Sequence, residues 1–222
     1  MRPVDYQAYY AGREKRYNYM MITMADLVRH IAIIISGLSM LAVIVVFLTN
    51  VIGSKLDEID IANIPLEYKI TSTDNYYEYQ NNGTSAEYSI AYILREIKKN
   101  AKGSEIEIER PLGLLTPRTV SIVLRNRGVK AYAYHGSYNT IRKRLTLGIP
   151  IIVYLKINEK FEYAVLKGYD DTFFYLVTSS EELKNEDGGW YNMKIGIDEF
   201  YSYWHTDSYL PNNLYVAFER YK

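Results

Sequence analysis

FEYAVLKGYDDTFFYLVTSS, residues 161–180, holds two apolar runs around a polar turn. FEYAVLKGYD reads as a strand that closes in a turn at Gly168 and Asp170, and TFFYLVTS reads as the strand beside it. Upstream, IPIIVYLKI (149–157) is apolar and β-branched, the pattern of a buried strand. Downstream, GGWYNMKIGIDEFYSYW (188–204) gives a turn, a strand and a helix opened by Asp198, and NNLYVAFERY (212–221) gives a last strand.

Helices precede this sheet. In SAEYSIAYILREIKKN (85–100), Ile90, Ile93, Leu94 and Ile97 share one face at helical spacing. Ser85 is placed to cap that helix, with Glu87 in its first turn and Lys98 and Lys99 in its last. TPRTVSIVLRNRG reads as a second helix, with Thr116 as cap, Pro117 in the first turn and Gly128 as stop. SYNTIRKRLTLG reads as a third, ending at Gly148. Helices followed by a mostly antiparallel sheet give an α+β domain, expected over 76–222.

The N-terminal part differs in kind. IAIIISGLSMLAVIVVFLTNVIG, Ile31 to Gly53, carries no charged residue. As a helix it spans about 34 Å, enough for a bilayer core of about 30 Å. It is longer than the apolar core of a signal peptide and about 30 residues precede it, so a retained transmembrane anchor is expected at 31–53. Arg2, Arg13, Lys15, Arg16 and Arg29 outnumber Asp5, Glu14 and Asp26 before the span, whereas Lys55 is followed by Asp57, Glu58 and Asp60 after it. The basic flank places residues 1–30 in the cytoplasm and the rest outside it. Residues 1–26 read either as a short interfacial helix or as a tail. Residues 54–75 read as a linker, with a strand in LEYKITST.

Composition excludes several chemistries. Formal net charge is zero and cysteine is absent. Zero charge gives no electrostatic reason to expect nucleic acid. No cysteine means no disulfide, no thiolate metal site and no cysteine nucleophile. His30, His135 and His205 are too few for a histidine metal site, and no cofactor or metal is expected. His135, in AYAYHGSYN, is read in a loop after a strand, and His205 follows the last helix. NGT at Asn82 is a glycosylation sequon or a turn. ELKNEDGGW lacks calcium-loop spacing and reads as a solvated turn. The 24 tyrosines supply rigid area with a polar tip, suited to contact surfaces or to a β-rich core.

Four segments in order resemble the papain-like fold of the double-glycine (bacteriocin-processing) cysteine peptidases, over about Tyr79 to Tyr221. YQNNGTSAEYSIAYIL (79–94) is similar to the family's glutamine, Cys-Gly turn and apolar helix. LTLGIPIIVYL (145–155) is similar to its helix, G-x-P and first sheet strand. EYAVLKGYDDTFFYLVTSS is similar to its histidine strand, Gly-Tyr-Asp turn and Asp-Pro strand, and IDEFYSYW (197–204) to its last helix. The resemblance places the cysteine position at Ser85, the histidine at Glu162, the aspartate at Thr178 and its proline at Ser179. The oxyanion glutamine falls on Gln80, one residue closer than the family pattern, and the glycine after the cysteine is Ala86.

That family's chemistry needs a thiolate at a helix N-terminus, a histidine to move the proton and an acid to orient it. All three positions are changed here. A glutamate with an ordinary pKa near 4.3 is a poor base toward a hydroxyl. The resemblance therefore implies a membrane-anchored, catalytically inactive peptidase-like domain. It would bind a peptide or protein, or serve as a structural subunit of a cell-envelope complex. Its expected partners are other membrane or exported proteins and the lipid bilayer. Tyr79, Tyr163, Tyr169 and Trp204 are the aromatic candidates for that contact. The alternative is an active hydrolase using Ser85 with Glu162, where burial raises the carboxylate pKa.

Overall fold

Ile151–Leu155 and Tyr163–Tyr169 are buried without a break, the mark of strands covered on both faces. They form the middle of an eight-stranded sheet in the computed structural model, which describes residues 6–51, 53–72, 74–110, 113–205 and 211–219. Residues 1–5 of the N-terminal segment, 206–210 and the end of the last quoted segment, 220–221, lie outside the described residues. The chain divides into two compact units, Met1–Leu48 and Thr49–Lys222.

The first unit is helical. Helix α1 runs unbroken over Tyr6–Val51. It therefore starts well before the apolar run and resolves the tail-or-helix alternative in favour of a helix. Gly12 is the sole glycine or proline of its tyrosine-rich part, and one glycine costs a helix only about 1 kcal/mol. Its stretch Thr23–Val46 is long and apolar enough to cross a membrane, with a mean hydropathy of 2.1 and its side chains exposed. The apolar window thus begins earlier than Ile31, and Gly53 falls beyond the helix end.

The strands of the second unit are β1 (Lys55–Leu56), β2 (Tyr68–Lys69), β3 (Ala131–His135), β4 (Ile151–Ile157), β5 (Lys160–Tyr169), β6 (Phe173–Val177), β7 (Met193–Gly196) and β8 (Leu214–Phe218). The order is β1-β3-β8-β4-β5-β6-β7. Every pair is antiparallel except β1 with β3. Short β2 pairs with Gly168 and Tyr169 of β5, past the point where β4 stops at Leu166. Within 54–75, Lys55–Leu56 and Tyr68–Lys69 join the sheet, the second of them in LEYKITST.

Helices α2 (Ser85–Glu96) and α3 (Pro117–Asn126) cover one face, and α4 (Tyr138–Leu145) and α5 (Ile197–Trp204) cover the other. Strand β8 displays the two cores residue by residue. Leu214, Val216 and Phe218 join α2 and α3, while Tyr215 and Ala217 join α4 and α5, as period-two alternation requires. Local signals place the helix ends. The Thr116 hydroxyl caps α3, Pro117 opens it and Gly128 follows at φ +76. His135 ends β3 rather than lying in a loop, paired with Leu214 of β8.

Candidate functional site

The N-terminus of α2 is capped one residue earlier than the sequence suggested. Thr84, in extended conformation, is the N-cap, and its N–H donates to Glu87 Oε2 at 2.8 Å. The Thr84 hydroxyl also bonds this carboxylate. Glu87 Oε1 accepts from the Arg110 guanidinium at 3.0 Å. The T-x-x-E spacing makes this a capping box. A buried carboxylate of the helix itself thus occupies its positive end, where an anion would otherwise be stabilised.

Ser85 is then the first residue of α2, buried, and its hydroxyl is committed. Its Oγ accepts the backbone N–H of Tyr163 at 2.9 Å. One turn on, the Ser89 hydroxyl donates to the Tyr163 carbonyl at 3.2 Å. Strand β6 reaches along β5 only as far as Val165, so it offers the Tyr163 peptide no partner. Two serines spaced i, i+4 on one helix face supply both missing bonds.

Glu162 does not join Ser85. It pairs with Leu155 of β4 and shares a sheet face with Ala164 and Leu166, the face covered by α4 and α5. Tyr163 and Val165 point to the α2 face. Among the described residues the Glu162 carboxylate forms no hydrogen bond or ion pair. Thr178 does come against α2: with Ser89, Ser179, Glu78 and Arg95 it lines a pocket of about 10 Å³. That is the room of one water molecule, too little for a substrate chain. The Thr178 backbone is held by the Asn192 amide, which accepts its N–H and donates to its carbonyl, both at 2.8 Å. Gln80 is exposed, and its amide donates to the Gly83 carbonyl at 2.9 Å, closing its own turn instead of facing Ser85. Its backbone N–H reaches the Ser179 carbonyl at 2.8 Å.

The aromatic candidates need correction. Tyr163, Tyr169 and Trp204 are 2 %, 0 % and 0 % exposed, so they are core and offer no surface. Burial pushes the Tyr163 phenol well above its ordinary pKa, and its hydroxyl donates to the Leu115 carbonyl at 3.2 Å. Tyr169 Oη donates to Pro65 and Trp204 Nε1 to Leu214. Tyr79 alone stays half-buried, with Lys184 over its ring at 5.8 Å. His135 sits on β3, three strands from β5, and meets Ser54 at 3.3 Å. His205 is exposed beside Asn212. Among the described residues, no group of three His, Asp or Glu could hold a metal ion.

Three participants escaped the sequence reading. Ser89 and Asn192 act through tertiary contacts that no local pattern marks. Lys167 is fully buried at the β5 bulge, where its Nζ donates to the Ser72 carbonyl at 3.0 Å and to Tyr92 Oη at 2.9 Å. Burial lowers its pKa.

No family model matches this sequence, and no curated protein matches it. Solved structures do. One is a C39-like peptidase from Bacillus anthracis, with TM-score 0.52 and 14% identity over 70% of this chain and 100% of that one. Another is the peptidase domain of Streptococcus ComA, a bi-functional ABC transporter involved in a quorum-sensing pathway, with TM-score 0.50 and 13% identity over 66% of this chain and 99% of that one. A double glycine motif protease from an AMS/PCAT transporter, solved with the leader peptide, superimposes less closely, with TM-score 0.46 and 17% identity over 66% and 91% of the two chains. At such identities the likeness is one of fold, and the fold of this chain is that of a C39-like peptidase domain.

Proposed function

We propose that this protein is a membrane-anchored, catalytically inactive peptidase-like module that binds a peptide or protein as a subunit of a cell-envelope complex. In this reading Thr23–Val46 crosses the bilayer, residues before it are cytoplasmic and the sheet-bearing unit lies outside. One observation carries the inactive assignment: the Ser85 hydroxyl is an acceptor for the buried Tyr163 N–H. A hydroxyl attacking a carbonyl needs a base for its proton, and the only acid–base side chain that the resemblance supplies, Glu162, lies on the far face of β5. Glu87 already fills the helix end that would support an oxyanion. The peptidase-like fold and the apolar helix support the binding and anchoring roles.

Two measurements on the full-length protein in mild detergent test this. A serine-reactive probe is expected to give no labelling that depends on Ser85, and copurifying membrane chains are expected at a fixed ratio. Labelling that disappears in Ser85→Ala would sink the inactive assignment. A protein that always purifies alone would sink the subunit role.

A further inference from the structure

A groove of about 300 Å³ runs along α3. Its floor is Ile122 and Val123, and one wall is the segment before α3, where Ile106 is buried, Ile108 half-buried and Glu107 and Glu109 exposed. In that alternating segment, Ile106 and Ile108 turn to the core, leaving both carboxylates on the groove side, about 7 Å apart along the chain.

Two neighbouring charges are paired outside the groove. Glu105 takes Lys102 at 3.4 Å. Arg110 is held by Glu87 at 3.0 Å. Arg127 is the one cation in the groove lining, and its guanidinium donates to the Val123 carbonyl at 3.4 Å, so the lining holds two carboxylates against one cation. Among the described residues, Glu107 and Glu109 form no ion pair. An apolar chain without cations would strip water from both carboxylates and return nothing. An acidic chain would add repulsion. Only a chain that carries both aliphatic and cationic side chains satisfies floor and wall together.

We propose that this groove docks a basic amphipathic segment of a partner polypeptide, with Lys or Arg at Glu107 and Glu109 and an aliphatic side chain on Ile122 and Val123. The proposal rests on the binding role above and names the chemistry of the partner.

The test is fluorescence anisotropy on the full chain in neutral detergent, with two labelled peptides of equal length, one of leucine and lysine, one of leucine and glutamate. The lysine peptide is expected to bind about tenfold more tightly, and less so as salt rises. The double variant Glu107→Gln/Glu109→Gln is expected to weaken it roughly fivefold, while Glu105→Gln, outside the groove, leaves it unchanged. Binding to the detergent is measured for each peptide without protein and subtracted, and it cancels between protein variants. Equal affinity for the two peptides, or unchanged affinity in the double variant, overturns the groove. If the double variant still copurifies with the membrane chains, the groove falls and the binding role stands. If the lysine peptide binds through the two glutamates but nothing copurifies, the groove stands and the subunit role falls.

Discussion

Two buried polar clusters tie the second unit together, and they use opposite means. Where α2 meets β5 the contact is neutral: Ser85 and Ser89 satisfy the N–H and the carbonyl of Tyr163. On the other sheet face it is ionic. The Asp57 carboxylate, its side chain 0 % exposed, takes Arg144 through two bonds of 2.8 Å and 2.6 Å. The Tyr215 hydroxyl donates to the same carboxylate, and the Arg144 guanidinium lies 4.6 Å over the Tyr134 ring. One cluster uses hydroxyls to hold the backbone of β5 against α2. The other spends full charge where β1 joins the sheet.

Breaking the ionic cluster should have the largest effect. Arg144→Ala leaves a buried carboxylate without its cation, a loss of about 3–5 kcal/mol. A clear fall in the thermal midpoint of the detergent-solubilised chain is expected. The paired change Asp57→Leu with Arg144→Met removes both charges and should recover most of that loss, because Tyr215 Oη retains Thr140 Oγ1 at 3.3 Å. A mild Arg144→Ala would show that the cluster is dispensable and the contrast false.

The neutral cluster should respond less. Ser85→Ala leaves the Tyr163 N–H buried without an acceptor, which costs about 1–3 kcal/mol. Ser89→Ala deprives the Tyr163 carbonyl of its donor. The two losses fall on one residue and should not add, which a double-mutant cycle in urea would measure. Strict additivity would mean that the serines act independently and that the clamp is a coincidence of spacing.

What the sequence disclosed depends on how local each cause is. The α3 ends are written in Thr116, Pro117 and Gly128, and the doubly covered strand in IPIIVYLKI. Even the cap of α2 is legible as T-x-x-E, although Ser85 beside it diverted the assignment by one residue. Strand β1 is not legible, and β2 is legible only as a strand somewhere in LEYKITST. Two-residue strands have no period, and their place is set by partners such as His135 and Tyr169 far along the chain. The aromatic candidates failed for a related reason. A tyrosine fits a core or a surface equally well, and only the α4 and α5 cover decides that Tyr169 and Trp204 face inward. The position of Ser85 could be read by resemblance. Its bond to Tyr163, 78 residues away, could not.

The smallest expected effect concerns the one fully buried lysine. Lys167 faces Tyr92, with Glu96 acting on it from the same helix and Arg95 and Tyr77 acting on Tyr92. Burial lowers the lysine pKa from 10.5, and the Glu96 charge opposes this without cancelling it. Below its folded pKa, Lys167 is protonated in both states and the burial cost is fully present. Between the folded pKa and 10.5 the unfolded chain binds more protons, so stability rises with pH there. The tyrosines act oppositely. Burial raises Tyr92, Tyr154 and Tyr215 above 10.0, so the unfolded chain loses those protons first and stability falls above about pH 10. The lysine signal therefore lies below 10.5 and is read below about pH 10, before the tyrosine decline begins. Lys167→Met fills the same volume without a charge and should flatten that rise while keeping the tyrosine decline. An unchanged pH profile in Lys167→Met would mean that the bonds to Ser72 and Tyr92 fully replace the lost water, and that charge in this unit is as well tolerated on the α2 face as it is at Asp57.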